Sequence, residues 1–301
     1  MTFPATRATG GAIAGWLALS MLTWAGAGGA TLAAGAAMER IPRPDHVVIV
    51  IEENKSYHQI MSDPAVTPYI HQLAQNGALL TRSYAIRHPS QPNYLALFSG
   101  DTQGVTDDHC PYAFQGGNLA GELRRKGLTF ATYSESMPAA GYTGCGHNHY
   151  RRKHNPAVNW QGNSVTADMN LPLDAFPADY SRLPTISLVV PNQLNDMHDG
   201  DPPATIIQGD RWLREHLDAY VQWASSHNSL LIVTWDEDDG SSGNHIATLF
   251  VGPMVRPGKY DSRVDHYGVL RTLLDMYGLD HLGNSRAAAP IMEIWVKSGP
   301  P

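Results

Sequence analysis

The chain has 301 residues, with 28 Asp and Glu against 21 Lys and Arg, for a net charge of −7. That length suits one large α/β domain or two small ones, with ample material for a core. The acidic balance excludes a general nucleic-acid binder, because no Lys/Arg-rich run occurs. The densest basic cluster, Arg151-Arg152-Lys153, suits at most a small anionic ligand. At the N-terminus, Arg7 precedes an apolar, small-residue stretch over 12–25, followed by Ala/Gly-rich sequence to Ala37. This pattern predicts a secretory leader over residues 1–37 and a secreted or periplasmic mature protein. A membrane anchor is the rival, since 12–37 is long enough to span. The many glycines and the lack of a basic flank favour cleavage. No other segment is apolar enough to cross a bilayer, so stable membrane insertion after cleavage is not expected.

Residues 46–51 form a first strand, VVIVI in character. A helix follows over 67–76, with Gly77 as its stop signal. Residues 93–99 begin a short helix, entered through Pro89-Ser90-Gln91-Pro92. Another helix covers 118–126, stopped by Gly127, and leads into a strand over 129–133. From 137 to 180 the chain is rich in Gly, Pro, Asn and His and lacks periodicity, which marks a functional loop region. Regular elements then resume: a strand at 185–190, an amphipathic helix at 204–226, strands at 229–235 and 245–251, and a helix at 264–277 ending at Gly278. This alternation predicts an α/β fold, a mostly parallel sheet with helices on both faces, in one domain over 45–296.

The two cysteines, Cys110 and Cys145, are an even count in a chain read as exported, which favours a disulfide over two buried thiols. Closing that loop would stabilise the fold by roughly 4 kcal/mol. Neither cysteine lies in a CxxC pair, so redox catalysis and a zinc ribbon are unsupported.

Three strand ends carry the chemistry. The run Leu230-Leu231-Ile232-Val233-Thr234-Trp235 ends in Asp236-Glu237-Asp238-Asp239, four carboxylates at the place where ligands bind in parallel α/β sheets. Like charges packed there call for a cation, and oxygen ligands suit a hard divalent metal. Taken alone, the cluster is also consistent with a solvated turn. The first strand ends in Glu52-Glu53-Asn54, where Glu53 and Asn54 offer a carboxylate and an amide oxygen. In His88-Pro89-Ser90-Gln91-Pro92-Asn93-Tyr94, a serine sits between prolines at a helix mouth, where free N–H groups suit a phosphate and an activated nucleophile. The plain alternative for Ser90 is a helix N-cap.

These segments together resemble the phosphoesterase family of bacterial and fungal acid phosphatases and non-specific phospholipases C, within the alkaline-phosphatase-like superfamily. Gly100-Asp101-Thr102, Lys153-His154-Asn155-Pro156, Pro191-Asn192 and Asn195-Asp196-Met197-His198 extend the resemblance, which covers about 46–277. The short length and HPSQPNY look more like the compact acid-phosphatase branch. The resemblance implies a three-layer α/β/α sandwich and a phosphoserine intermediate on Ser90. It implies a metal bound by Glu53, Asn54, Asp236, Glu237 and the Ser90 oxygen. It places His154, His198 and His245 in the active site, to bind phosphoryl oxygens or protonate the leaving group; His88 ranks fourth. One divalent ion is expected, and the ligands fit Ca, Mg, Mn or Zn. The expected substrate is a small phosphate monoester, and the expected state a monomer by default. A phospholipase C-like diesterase is the alternative enzyme, and an exported, metal-stabilised binding module the alternative of another class.

Overall fold

The computed structural model describes residues 40–297, together with Gly11. The predicted leader lies outside the described residues, Gly11 apart. Within them, no helix is long and apolar enough to cross a membrane.

In chain order the elements are β1 (His46–Glu52), α1 (Tyr57–Met61), α2 (Pro68–Asn76), β2 (Ala78–Tyr84), α3 (Gln91–Ser99), α4 (Leu119–Arg125), β3 (Phe130–Ser134), β4 (Gly146–His147), β5 (Tyr150–Arg151), β6 (Asn170–Pro172), β7 (Ile186–Val190), α5 (Ala204–Ala224), β8 (Ser229–Trp235), β9 (His245–Val251), β10 (Gly258–Tyr260), β11 (Val264–Asp265) and α6 (His266–Tyr277). The main sheet runs β10-β2-β9-β8-β1-β7-β3-β6, with β11 also on β2. All of its pairings are parallel except those of β9, which runs antiparallel to both β2 and β8. The result is a mostly parallel α/β sheet with helices on both faces.

Alternation along the central strands builds two apolar layers. Val47, Ile49 and Ile51 of β1 and Leu230 and Ile232 of β8 pack into one cluster with Leu95, Phe98, Leu123 and Leu273. Val48, Val50, Leu231, Val233 and Trp235 face the other side, against Ile70, Leu213, Leu217 and Tyr220. Strands buried on both faces explain why β1 and β8 read as unbroken apolar runs.

Several features differ from the sequence reading: α1, β6 and β10 are additional elements, and Val264–Asp265, expected in the last helix, form β11 ahead of it. The strand β2 (ALLTRSY) was not anticipated; its outer half carries Thr81 and Arg82, which dilute the apolar signal. Gly77 ends α2, but in an extended conformation rather than as a left-handed cap. A side chain there would bring Cβ within 2.3 Å of the Phe250 carbonyl, so close approach of β9 requires the glycine. By contrast, Gly278 does end α6 left-handed, at φ 59°.

The 137–180 region holds the β4–β5 hairpin and a chain of 3-10 turns. Cys110 and Cys145 are joined by a disulfide, which pins this region to the loop after α3. Arg152 adds a second clamp: its guanidinium donates to the carbonyls of Thr143 and Tyr112, each two residues from a cysteine.

Candidate active site

The carboxyl ends of β1 and β8 lie side by side, with Glu52 paired to Trp235 in register. The chain then delivers Glu53 and Asn54 from one strand and Asp236 and Glu237 from the other. Asn54 turns left-handed at φ 50°, a conformation that Asn tolerates, and its N–H donates to Asp236 Oδ1 at 3.0 Å. From beneath, the fully buried His266 at the start of α6 meets the Asp236 carbonyl with Nε2 at 2.7 Å.

Ser90 enters from α3, a helix whose nine residues are all buried. Asn93 shapes the approach: its Oδ1 accepts from the N–H groups of Ile86 and Arg87, and its Nδ2 donates to the Arg87 carbonyl. Although Ser90 sits at the N-cap position, its side chain makes no capping bond. Its hydroxyl points instead at Glu53 Oε2 (2.9 Å), Glu237 Oε1 (3.3 Å) and Asn54 Oδ1 (3.4 Å). One hydroxyl proton satisfies one acceptor, so three converging oxygens leave an excess of negative charge around Oγ.

The electrostatics express that excess. Burial, then Glu53 and Glu237, push the Asp236 carboxyl well above its ordinary range. Burial and Glu53 raise Glu237 to about 8. Burial also works to raise Glu53, but His154 overcomes it and holds Glu53 down to about 2. Asp236 Oδ2 is buried without a hydrogen-bond partner. The Asn54 side-chain amide also faces Glu53 and Glu237, and with its NH₂ turned toward them it would donate to Glu53 Oε2 at 3.0 Å and Glu237 Oε1 at 3.2 Å. With its oxygen turned toward them instead, it would add a neutral donor for a cation at the centre. Hard oxygen donors, an orphaned carboxylate oxygen and mutual repulsion together fit a divalent metal.

The expected histidines separate into three settings. His154 is 1% exposed and lies behind Glu53, with Nε2 at 3.0 Å from Glu53 Oε1 and Nδ1 at 3.3 Å from Asp196 Oδ2. Burial would lower its pKa, but Glu53 and Asp196 reverse the sign and lift it to about 9. The two carboxylates thus favour the charged form of His154, which lies against Glu53. His198 lies at the edge, its ring 6.1 Å from that of His154 and its Nδ1 2.8 Å from Asp199 Oδ1. His245 is stacked between Tyr57 and Tyr84, with Nε2 at 2.8 Å from the Thr81 carbonyl. That nitrogen is engaged by the sheet rather than by the carboxylates. His88 stands closer to the cluster, bridging Glu237 (2.9 Å) and Asp238 (3.0 Å).

Asp196, Tyr94, Asn93 and Asp108 join the site without having been singled out individually. Tyr94 donates to Glu53 Oε1 at 2.5 Å and stacks on His154. Glu53, His154 and Asp196 present ligating atoms within 4.8 Å of one another and could hold a metal ion. This set shares Glu53 with the oxygen cluster, and its His154 Nε2 and Asp196 Oδ2 are, like Asp236 Oδ2, buried without a hydrogen-bond partner. The segment Asn195-Asp196-Met197-His198 was visible in the sequence; that its Asp turns inward is a property of the loop.

The fold is the alkaline-phosphatase architecture, and the chain's family and relatives make it a hydrolase of phosphoric esters. Solved structures agree on the fold. One is a Vibrio parahaemolyticus protein of the alkaline phosphatase superfamily (TM-score 0.57, 16% identity, covering 82% of this chain and 70% of that one). Another is a phosphonate monoester hydrolase from Silicibacter pomeroyi (TM-score 0.55, 13% identity, 86% and 78%). Within that class the chain belongs to the Phosphoesterase family, whose model matches residues 62–280. Among its relatives, a phosphatidylinositol-3-phosphatase of Mycobacterium tuberculosis is 48% identical over 94% of this chain and 93% of its own length. A phosphate-repressible acid phosphatase of Penicillium chrysogenum is 32% identical over 83% of this chain, which spans 63% of that enzyme.

Proposed function

We propose that this protein is an exported phosphomonoesterase working through a phosphoserine intermediate on Ser90 with the help of one divalent metal. The observation that carries the reading is the Ser90 hydroxyl, which begins a buried helix, leaves that helix uncapped and faces Glu53, Asn54 and Glu237. A serine serving as a cap would turn toward its own helix. Monoester cleavage is supported by the relatives named as phosphatases. Export rests on the leader pattern and on the disulfide. Residues 45–296 act as the single catalytic domain.

Glu53, Asn54, Asp236, Glu237 and Ser90 Oγ would hold the metal, which when bound supplies a lowered Ser90 pKa and neutralises phosphoryl charge. Ser90 Oγ attacks phosphorus, a P–O bond to Oγ forms, the ester P–O bond breaks, and the hydroxyl proton passes to solvent. The alcohol takes a proton as it leaves. His198 is suited to give it, because its ring is partly exposed and Asp199 fixes its Nδ1. Water then cleaves the phosphoserine, returning the proton to Oγ and releasing inorganic phosphate. His154 keeps Glu53 ionised and oriented throughout.

The test is hydrolysis of a chromogenic phosphate monoester and a matched choline-phosphate diester by wild type and Ser90→Ala, with and without chelator. Monoester turnover lost in the variant and with chelator supports the reading. A preference for the diester moves the chain to the phospholipase C-like alternative. Activity on neither substrate leaves the binding module and makes Ser90 a structural residue.

A further inference from the structure

The amide that follows the proposed nucleophile is already bound to an anion from the protein itself. The backbone N–H of Gln91 donates to Asp108 Oδ1 at 3.0 Å. The other oxygen of the same carboxylate takes Lys153 Nζ at 2.8 Å. Gln91 N–H is the first free donor of α3 and lies one peptide from Ser90. When Ser90 Oγ attacks phosphorus, the non-bridging oxygens come within reach of that amide, where helix N-termini favour negative charge. At the same helix mouth, the Ser90 hydroxyl turns away from its own helix toward Glu53 and Glu237, and the buried Gln91 side chain carries an Oε1 without a hydrogen-bond partner. Asp108 is near enough to Glu237 to help raise its pKa.

The placement of Asp108 and Lys153 is built in. Asp108 lies two residues before Cys110, and Lys153 follows Cys145 on the partner loop; the disulfide joins the two loops. Arg152, buried, bonds to the carbonyls of Tyr112 and Thr143 on the same two loops. The Asp108 side chain is 31% exposed and that of Lys153 16%, so the carboxylate has room to swing outward while the ammonium is the more enclosed.

Resting on the Ser90 reading, we infer that Gln91 N–H and Lys153 Nζ form a phosphoryl-oxygen subsite and that Asp108 is its resident competitor. A bound phosphoryl group displaces the Asp108 carboxylate and takes over both donors. Asp108 thereby weakens the hold on the product, inorganic phosphate, and makes Lys153 available only when a stronger anion arrives. Asp108 is a specificity-determining residue that forms no bond to phosphorus.

The experiment is calorimetric titration of inorganic phosphate into the full chain as wild type, Asp108→Asn, Lys153→Met, the double variant and Ser90→Ala. Asn at 108 keeps an oxygen for Gln91 N–H, and a thermal melt of each variant checks folding. Removing one negative charge beside a phosphate dianion should tighten its binding about tenfold in Asp108→Asn. Lys153→Met should weaken it by a similar factor, and the double variant should bind more weakly than Asp108→Asn. Unchanged or weaker phosphate binding in Asp108→Asn, with wild type binding normally, overturns the inference and leaves the Ser90 reading intact. If wild type binds no phosphate and Ser90→Ala hydrolyses monoesters as wild type does, the Ser90 reading fails and the inference falls with it.

Discussion

Replacing His154 by glutamine removes the buried cation that faces Glu53. The imidazole is 1% exposed and touches Glu53 at 3.0 Å and Asp196 at 3.3 Å. Its pKa rises from an ordinary 6.5 to about 9. At about 1.4 kcal/mol per unit, that shift is worth on the order of 3 kcal/mol to the folded state. The low pKa of Glu53 reports the same interaction from its other partner, so the energy is counted once. Because the folded pKa is the higher one, the stabilisation is complete below pH 6.5 and is lost as pH rises through about 9. Urea unfolding of chelator-treated wild type and His154→Gln at several pH values between 6 and 10 isolates the effect. The variant should be less stable at pH 6 by roughly 3 kcal/mol, and the gap should close toward pH 10. A gap independent of pH would refute an imidazolium at this position and reduce His154 to a packing residue.

Other consequences concern the carboxylates and the cross-link. With Glu237 raised to about 8, metal must compete with a proton there, so affinity for divalent ions should climb from pH 5 to pH 8 and level off above; direct metal titration yielding a flat profile would remove Glu237 from the ligand set. Asp236→Asn should depress turnover and metal content together, and an inactive variant with full metal occupancy would argue against a ligand role. Reducing the Cys110–Cys145 disulfide, whose cysteines are 35 residues apart, frees a loop worth about 4 kcal/mol in the chain-entropy picture. Scanning calorimetry should then find the melting temperature about 8 °C lower, and an unchanged value would mean that the Arg152 and Lys153 contacts hold the two loops without the cross-link.

The sequence made the frame of the site legible because strand ends are local signals. An apolar run that stops at Asp236-Glu237, and another that stops at Glu53-Asn54, identify donors at one edge of a parallel sheet. HPSQPNY likewise announces a helix mouth at Ser90. Roles set by distance were not legible. His154 carries no local mark of being buried between Glu53 and Asp196, and His245 shows none of its stacking between Tyr57 and Tyr84. Asp108 reads as part of a polar loop until its carboxylate is found on the Gln91 amide. The strand β2 escaped because Thr81 and Arg82 break its apolar character, although it pairs with β9 deep in the sheet. Its partner β9 reads in the sequence only as a further strand of a mostly parallel sheet; a loop of nine residues after β8 returns the chain antiparallel.

The central claim is that Ser90 carries the phosphoryl group during turnover. It is tested most directly by acid-quenching the enzyme during steady-state hydrolysis of a phosphate monoester and mapping phosphopeptides by mass spectrometry. The account predicts a phosphate adduct on Ser90 that is absent without substrate and absent in Ser90→Ala, whose turnover is lost. Steady turnover by wild type with Ser90 unmodified, or undiminished turnover by Ser90→Ala, would contradict it.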